Sequence, residues 1–174
     1  MEVLHFAEVE SELGVLRTVS SARGVVYIEL PNASGRGLGG WIATNAPGAR
    51  LVEGYAPNRV AVTQLLEYFD GKRRVFEMKL DLRGTAFQLA CYDEVAKIEF
   101  GQIATYADIA GRIQRPKAVR AVGAANGANP LPLVIPCHRV VASSGKLQGY
   151  AGGLEMKARL LALESATPRE GWLL

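Results

Sequence analysis

The sequence predicts an α+β fold: a domain with a small sheet over residues 1–80, followed by a mainly helical domain over 81–174 that contains a helix-turn-helix. Three observations carry this expectation. Short apolar runs divided by Gly and Pro fill the first stretch, which is the pattern of strands joined by turns. From Thr85 onward, apolar residues recur at helical spacing behind Thr and Pro start signals. With 174 residues, 49% of them hydrophobic, the chain can build one sizeable core or two small ones.

Taken in order, Val3–Val9, Gly14–Ser20 and Val25–Leu30 read as strands. The run PNASGRGLGG over 31–40 is rich in glycine. A phosphate-cradling loop would need a Lys-Ser/Thr pair and a capped helix behind it, so the segment reads as a flexible surface loop. Asn58 is placed to cap a helix whose Val60, Leu65, Leu66 and Phe69 share a face, ending near Gly71. Leu80–Gly84 reads as a linker. Thr85 caps a helix running to about Ile98, with Phe87, Ala90, Cys91, Val95 and Ile98 on its apolar stripe. Cys91 is there most simply a small core residue. Gly101 breaks this helix, Thr105 caps a second one over Tyr106–Arg112, and Pro116 opens a third at its favoured first position. Two short helices joined by a three- or four-residue turn make a helix-turn-helix, a pattern that domains with no DNA to bind also contain. The third helix has little bulk: Ala118, Ala121, Gly123, Ala124, Ala125, Gly127 and Ala128 accompany Lys117 and Arg120. It either packs tightly on a neighbour or enters a narrow space such as the minor groove of DNA, and the basic neighbours favour the groove. Leu154–Glu164 forms an amphipathic helix.

Composition narrows the function. No stretch of ~18 apolar residues could span a bilayer. The acidic start MEVLHFAEVE is unlike a secretory signal, so the expected compartment is the cytoplasm. In that compartment Cys91 and Cys137 are more simply thiols than a disulfide. A four-ligand zinc site would consume both of them together with His5 and His138, so no metal is expected. The formal charge is only +3, but residues 101–140 carry Arg112, Arg115, Lys117, Arg120 and Arg139 against Asp108 alone. Such a local excess points towards a polyanionic partner.

The reactive centre lies in PLPLVIPCHRVV, residues 130–141. A thiol followed at once by an imidazole is a candidate activated nucleophile. The apolar flanks predict burial, which raises a thiol pKa, so Cys137 needs a base, and His138 is the one nearby. Adjacent side chains diverge, so a bridging water between the two resolves the geometry. A carboxylate behind the imidazole would orient it, and Glu164 is the acid chosen for that place.

The segment IPCHRVV, followed by SSGKLQGYAGG and a helix ending LLALE, resembles the active-site region of the O6-alkylguanine-DNA alkyltransferases, the methylated-DNA–protein-cysteine methyltransferases. LDLRGTAFQ, TYADIA and RPKAVRAVGAANGANP are similar to the family in order and spacing, so the likeness spans nearly all of residues 80–165. The first half is similar to the family's more variable first domain.

The resemblance implies direct repair of double-stranded DNA carrying O6-alkylguanine, and O4-alkylthymine as well, by a monomer with no cofactor. Cys137 would accept the alkyl group irreversibly, after minor-groove binding and flipping of the base. His138 would activate Cys137 through water and Glu164 would hold His138, while Tyr106 would protonate guanine N3. Arg120 would fill the space of the flipped nucleotide, and Asn129 would brace the turn into the active-site strand. With Lys117, Arg115, Thr105 and Ala121, these two complete the DNA-binding set. The carbonyls of Val140 and Cys137 would accept from the guanine amine, and Tyr150, Ala151 and Gly152 would close over O6. Ala151 stands where some members carry Ser and Tyr92 where bacterial members often carry Trp. The first domain has no counterpart of the zinc ligands found in some members. Two rival functions share parts of this chemistry: a cysteine hydrolase, which would turn over repeatedly, and a lesion-binding module that performs no transfer.

Overall fold

The computed structural model describes residues 1–33 and 35–164. It divides into two compact units, Met1–Arg83 and Gly84–Leu174. Among the described residues no helix is long and apolar enough to cross a membrane.

The first unit is built on a four-stranded mixed sheet in the order β3-β2-β1-β4. Strands β1 (Val3–Ser11), β2 (Gly14–Ser21) and β3 (Gly24–Glu29) form an antiparallel meander, and β4 (Arg50–Glu53) pairs parallel to β1. A parallel neighbour needs a crossover, and helix α1 (Gly37–Asn45) lies within it. This helix begins inside the segment expected to be a loop, residues 31–40, and runs on beyond it. Its N-cap, Arg36, makes no side-chain capping bond, and its glycines cost roughly 1 kcal/mol each as helix formers. Burial outweighs that cost: Leu38 and Trp41 pack with Leu4, Val19, Val26 and Ala46, at roughly 2 kcal/mol per large side chain.

Helix α2 (Arg59–Phe69) follows a 3₁₀ turn. Asn58 stands at its N-cap position but does not cap it. Its side chain is fully buried, accepts from Ser20 Oγ at 2.9 Å, and donates to the carbonyls of His5 (2.9 Å) and Gly54 (2.8 Å). The buried face of α2 is Ala61, Val62, Gln64, Leu65 and Tyr68, whereas Val60 and Leu66 are exposed, so the expected face is rotated. The expected linker is partly structured too. Val25 N–H donates to Lys79 O and Asp81 N–H donates to Val25 O, both at 2.9 Å. Arg83 forks onto Glu2 at 2.6 and 3.0 Å and reaches Asp81 at 2.6 Å.

The second unit opens with α3 (Ala86–Ala96), started by a reciprocal capping box between Thr85 and Gln88. Its inward residues are Cys91, Tyr92 and Val95, while Ala90 faces out. A two-residue strand β5 (Ala104–Thr105) leads into α4 (Tyr106–Arg112), capped by the same device between Thr105 and Asp108. Helix α5 begins at Val119, not at Pro116, and runs to Gly127. Pro116 instead occupies the second position of a turn closed by Ala118 N–H donating to Arg115 O at 2.9 Å. The connection between α4 and α5 is therefore longer than a three- or four-residue turn. Strand β6 (Val140–Val141) pairs parallel to β5, and α6 (Leu154–Leu163) closes the described fold, its Leu161 packed with Val141 and Leu147.

Candidate active site

Cys137 opens a 3₁₀ turn, Cys137–Arg139, that ends a series of tight turns; it does not lie in a strand. Ile135 N–H donates to Leu131 O at 2.8 Å, and Cys137 N–H to Ile135 O at 2.7 Å. Between them buried Leu133 holds φ 75°, a left-handed conformation that a bulky side chain adopts only when its surroundings impose it. Asn129 bonds across this turn, donating from Nδ2 to Ile135 O (2.8 Å) and accepting at Oδ1 from Leu131 N–H (2.9 Å).

His138 and Glu164, 26 positions apart, meet through Nε2 and Oε1 at 2.7 Å, and both side chains are 0% exposed. Glu164 has a second partner that the sequence reading did not assign. Arg139 donates from Nε to Oε2 (2.8 Å), from a terminal nitrogen to Oε1 (2.9 Å), and from the other to Ile98 O (2.6 Å). This buried fork removes Arg139 from the basic surface counted in the sequence. Gly101, at φ +80°, allows the close approach here, since a Cβ would lie 3.3 Å from Glu164 O.

The charges assign the protons. Burial alone would raise the Glu164 pKa, but hydrogen bonds from His138 and Arg139 outweigh it and hold the carboxyl at about 2. Glu164 is thus a carboxylate and can only accept, so His138 Nε2 carries the hydrogen between them. Burial pushes the His138 pKa down, although Glu164 pulls it up, so the ring is neutral near pH 7. Its Nδ1 is then an unprotonated acceptor, buried and without a hydrogen-bond partner among the described residues. Burial pushes the Cys137 thiol up, opposed by the Asn129 side chain and the Lys157 charge. Cys137 is therefore a neutral thiol and its chain neighbour His138 a neutral base, so a thiol acting here as a nucleophile would need a place to send its proton.

Two further buried groups were missed. Lys157 is completely buried; its Nζ donates to Val140 O (2.6 Å) and Gln148 O (2.9 Å) and lies 3.5 Å from the Tyr106 hydroxyl. Burial brings its pKa down to about 8. The signal was present, since Lys157 lies three, four and seven places before Leu160, Leu161 and Glu164, the buried stripe of α6. Asn126, which shares the inward stripe of α5 with Val122 and Ala125, donates from Nδ2 to Cys137 O at 3.2 Å. Tyr106 is half-buried, and its hydroxyl donates to Gln148 O at 3.0 Å. Burial, and then the nearness of Cys137, push its pKa up to about 12. Tyr150, Ala151 and Gly152 are half-buried in the turn before α6, where Gly153 N–H donates to Tyr150 O at 2.9 Å. Val140 is fully buried. Among the described residues, no three His, Cys, Asp or Glu side chains gather to hold a metal.

Arg112, Arg115, Lys117 and Arg120 are exposed, as are Ala121, Ala124, Gly127 and Ala128 along α5, while Thr105 is half-buried at its cap. A Cβ at Gly123 or Gly127 would meet nothing within 4 Å. Packing within the chain therefore does not account for the small outer face of α5.

The model of the family described as "6-O-methylguanine DNA methyltransferase, DNA binding domain" matches residues 86–166. The inducible methylated-DNA–protein-cysteine methyltransferase of Bacillus subtilis is 41% identical over 151 residues, covering 87% of this chain and 84% of the relative. The methylated-DNA–protein-cysteine methyltransferase of Methanosarcina barkeri is 38% identical, covering 92% and 97%. Among solved structures, Mycobacterium tuberculosis OGT in complex with DNA superposes with TM-score 0.81 at 36% identity, covering 92% of each chain. The O6-methylguanine-DNA methyltransferase of Pyrococcus kodakaraensis gives 0.64 at 28%, covering 94% and 99%.

Proposed function

The chain belongs to the methylated-DNA–protein-cysteine methyltransferase family, enzymes of DNA repair by alkyl transfer, and on that premise we propose that Cys137 takes the alkyl group from O6-alkylguanine in duplex DNA, once per molecule. The observation that carries this reading is the buried run Cys137, His138, Glu164, Arg139, with Nδ1 of His138 left as an acceptor. Cys137 Sγ attacks the alkyl carbon, the carbon–O6 bond breaks, and its electrons return to the guanine ring. The thiol proton passes through a bridging water to His138 Nδ1, and Glu164 stabilises the imidazolium that forms. Tyr106 is protonated at neutral pH and so can give guanine N3 a proton. To do so it exchanges its bond to Gln148 O, and the Lys157 ammonium beside it stabilises the oxygen left behind. The thioether product has no carbonyl for water to attack, so the cysteine is spent. O4-alkylthymine is proposed as a second substrate by the same attack.

Duplex DNA hides the O6 atom, so the base must leave the stack at a cost of a few kcal/mol. The smooth outer face of α5, flanked by Arg120 and Lys117, suits a shallow entry into the minor groove, with Arg120 filling the vacated place. Incubation with a duplex containing O6-methylguanine, followed by peptide mass mapping, tests the reading. One methyl on the Cys137 peptide and none beyond one equivalent is expected; many equivalents would indicate a hydrolase and none a lesion binder.

Two further results are expected. Arg120→Ala slows repair of duplex DNA by roughly ten- to a hundredfold, yet leaves attack on free O6-benzylguanine near wild type, because a free base needs no flipping. Equal losses on both substrates would place Arg120 in the chemistry or the fold. Affinity for DNA falls with salt at a log–log slope of roughly −3 to −4, the value for three or four phosphate contacts. Methylation of major-groove guanine N7 leaves binding intact, since minor-groove edges carry little sequence information. Strong interference from N7 methylation would put α5 in the major groove.

A further inference from the structure

The proposed reaction leaves one buried acceptor without an assigned role, Oδ1 of Asn126. The residue is 7% exposed and faces inward on α5. Its contact with Cys137 O, at 3.2 Å, fixes the orientation of the carboxamide. A carbonyl can only accept, so the nitrogen faces it and the oxygen points elsewhere. That oxygen is buried and has no hydrogen-bond partner among the described residues. A buried acceptor left without a donor is costly, which makes it a place where an incoming N–H is held firmly.

The surroundings name the donor. Asn126 is bonded to the carbonyl of the very residue that takes the alkyl group, and its side chain also interacts with the Tyr106 hydroxyl, lowering a pKa that burial raises. Tyr106 is the group that addresses guanine N3 in the proposed reaction, and the atom next to N3 on that edge is the exocyclic 2-amino group. This amine has two hydrogens to place. Of the two backbone carbonyls that the resemblance assigns to this amine, each already accepts one bond, Val140 O from Lys157 at 2.6 Å and Cys137 O from the Asn126 amide, whereas Asn126 Oδ1 accepts none and has both lone pairs to offer. Resting on the alkyltransferase reading above, we infer that Asn126 Oδ1 accepts one hydrogen of the 2-amino group of the flipped alkylguanine, making Asn126 a specificity-determining residue for guanine lesions. A thymine lesion presents a carbonyl oxygen at the corresponding edge, with no hydrogen to donate, and gains nothing from this oxygen.

The test compares single-turnover methyl transfer from duplexes carrying O6-methylguanine or O6-methylhypoxanthine, which differ only in the 2-amino group. In Asn126→Leu, transfer from O6-methylguanine is expected to slow by roughly tenfold more than transfer from O6-methylhypoxanthine, the worth of one buried hydrogen bond, beyond any loss that the two substrates share. The guanine-to-hypoxanthine ratio therefore falls by the same factor. Asn126→Ser, which is smaller and cannot overpack the site, should lower the ratio in the same direction, and it carries the test if the leucine variant does not fold. Equal slowing on both substrates would show that Asn126 only seats Cys137, and an unchanged ratio in both variants would equally overturn the inference. Absence of transfer from O6-methylguanine by the unaltered protein would instead remove the alkyltransferase reading, and this inference with it.

Discussion

Cys137→Ser is expected to retain duplex affinity near wild type and to lose alkyl transfer by roughly four orders of magnitude or more. The exchange is nearly isosteric, and the residue makes its structural bonds through the backbone: its N–H to Ile135 O and its carbonyl from Asn126. Those contacts survive, and so does the outer face of α5. What is lost is the proposed nucleophile. Burial already pushes the Cys137 thiol above its ordinary pKa, so the proposed reaction depends on proton transfer towards His138 as the sulfur attacks. A hydroxyl is far more basic than a thiol and less polarisable, and a neutral imidazole cannot draw its proton to any useful extent. Fluorescence anisotropy on a labelled duplex reads the binding, and transfer of labelled methyl reads the chemistry. Label on Cys91, or transfer surviving in the variant, would move the acceptor away from Cys137. Cys91 is buried on the inner side of α3, and burial raises its pKa too.

Glu164→Ala is expected to destabilise the protein by about 3–5 kcal/mol, because it strands the buried Arg139 charge. The carboxylate accepts from His138 and twice from Arg139, so its removal leaves a guanidinium in the interior with only Ile98 O to bond. Glu164→Gln keeps the volume and one acceptor. It should fold better, yet transfer should still fall well below wild type, since an amide stabilises an imidazolium poorly. Urea unfolding and single-turnover transfer separate the two effects. A variant with full stability and full rate would show that the ion pair is idle. The same cluster fixes the sign of the pH dependence. Glu164 is held at about 2 in the folded state, against 4.5 for a free carboxyl. Its contribution is complete above about 4.5 and is lost as pH falls towards 2. His138 is also depressed when folded, so its protonation costs stability as pH falls below the usual histidine range near 6.5. Both groups act in one direction: unfolding is favoured on acidification, first through His138 and then through Glu164. Transfer by the folded protein should decline only as pH falls through the depressed folded-state value of His138, below the usual histidine range, because a protonated His138 cannot accept the thiol proton.

Much of the molecule was legible in the sequence because its signals are local. Strands β1, β2 and β3 alternate or run apolar over a few residues, and Thr85 and Thr105 cap their helices through residues three places on. Pro136, Cys137 and His138 announce a candidate nucleophile and a candidate base side by side. Glu164 was found at a distance because an imidazole of this kind calls for a carboxylate and α6 presents one at its end. What the tertiary structure decided is which groups are buried together. Arg139 looked like one more surface cation until the fold brought it to Glu164, 25 positions away. Lys157 and Asn126 sit on helical stripes whose spacing marked them as inward, but only packing shows that their nitrogens reach the carbonyls of Val140 and Cys137. The glycine-rich stretch at α1 is a weak helix former by propensity, and becomes helical because Leu38 and Trp41 find a core to enter. The physical reason is common to all of these cases. Caps and periodicity act over three or four residues, whereas burial and ion pairing depend on neighbours that the chain brings together from far along its length.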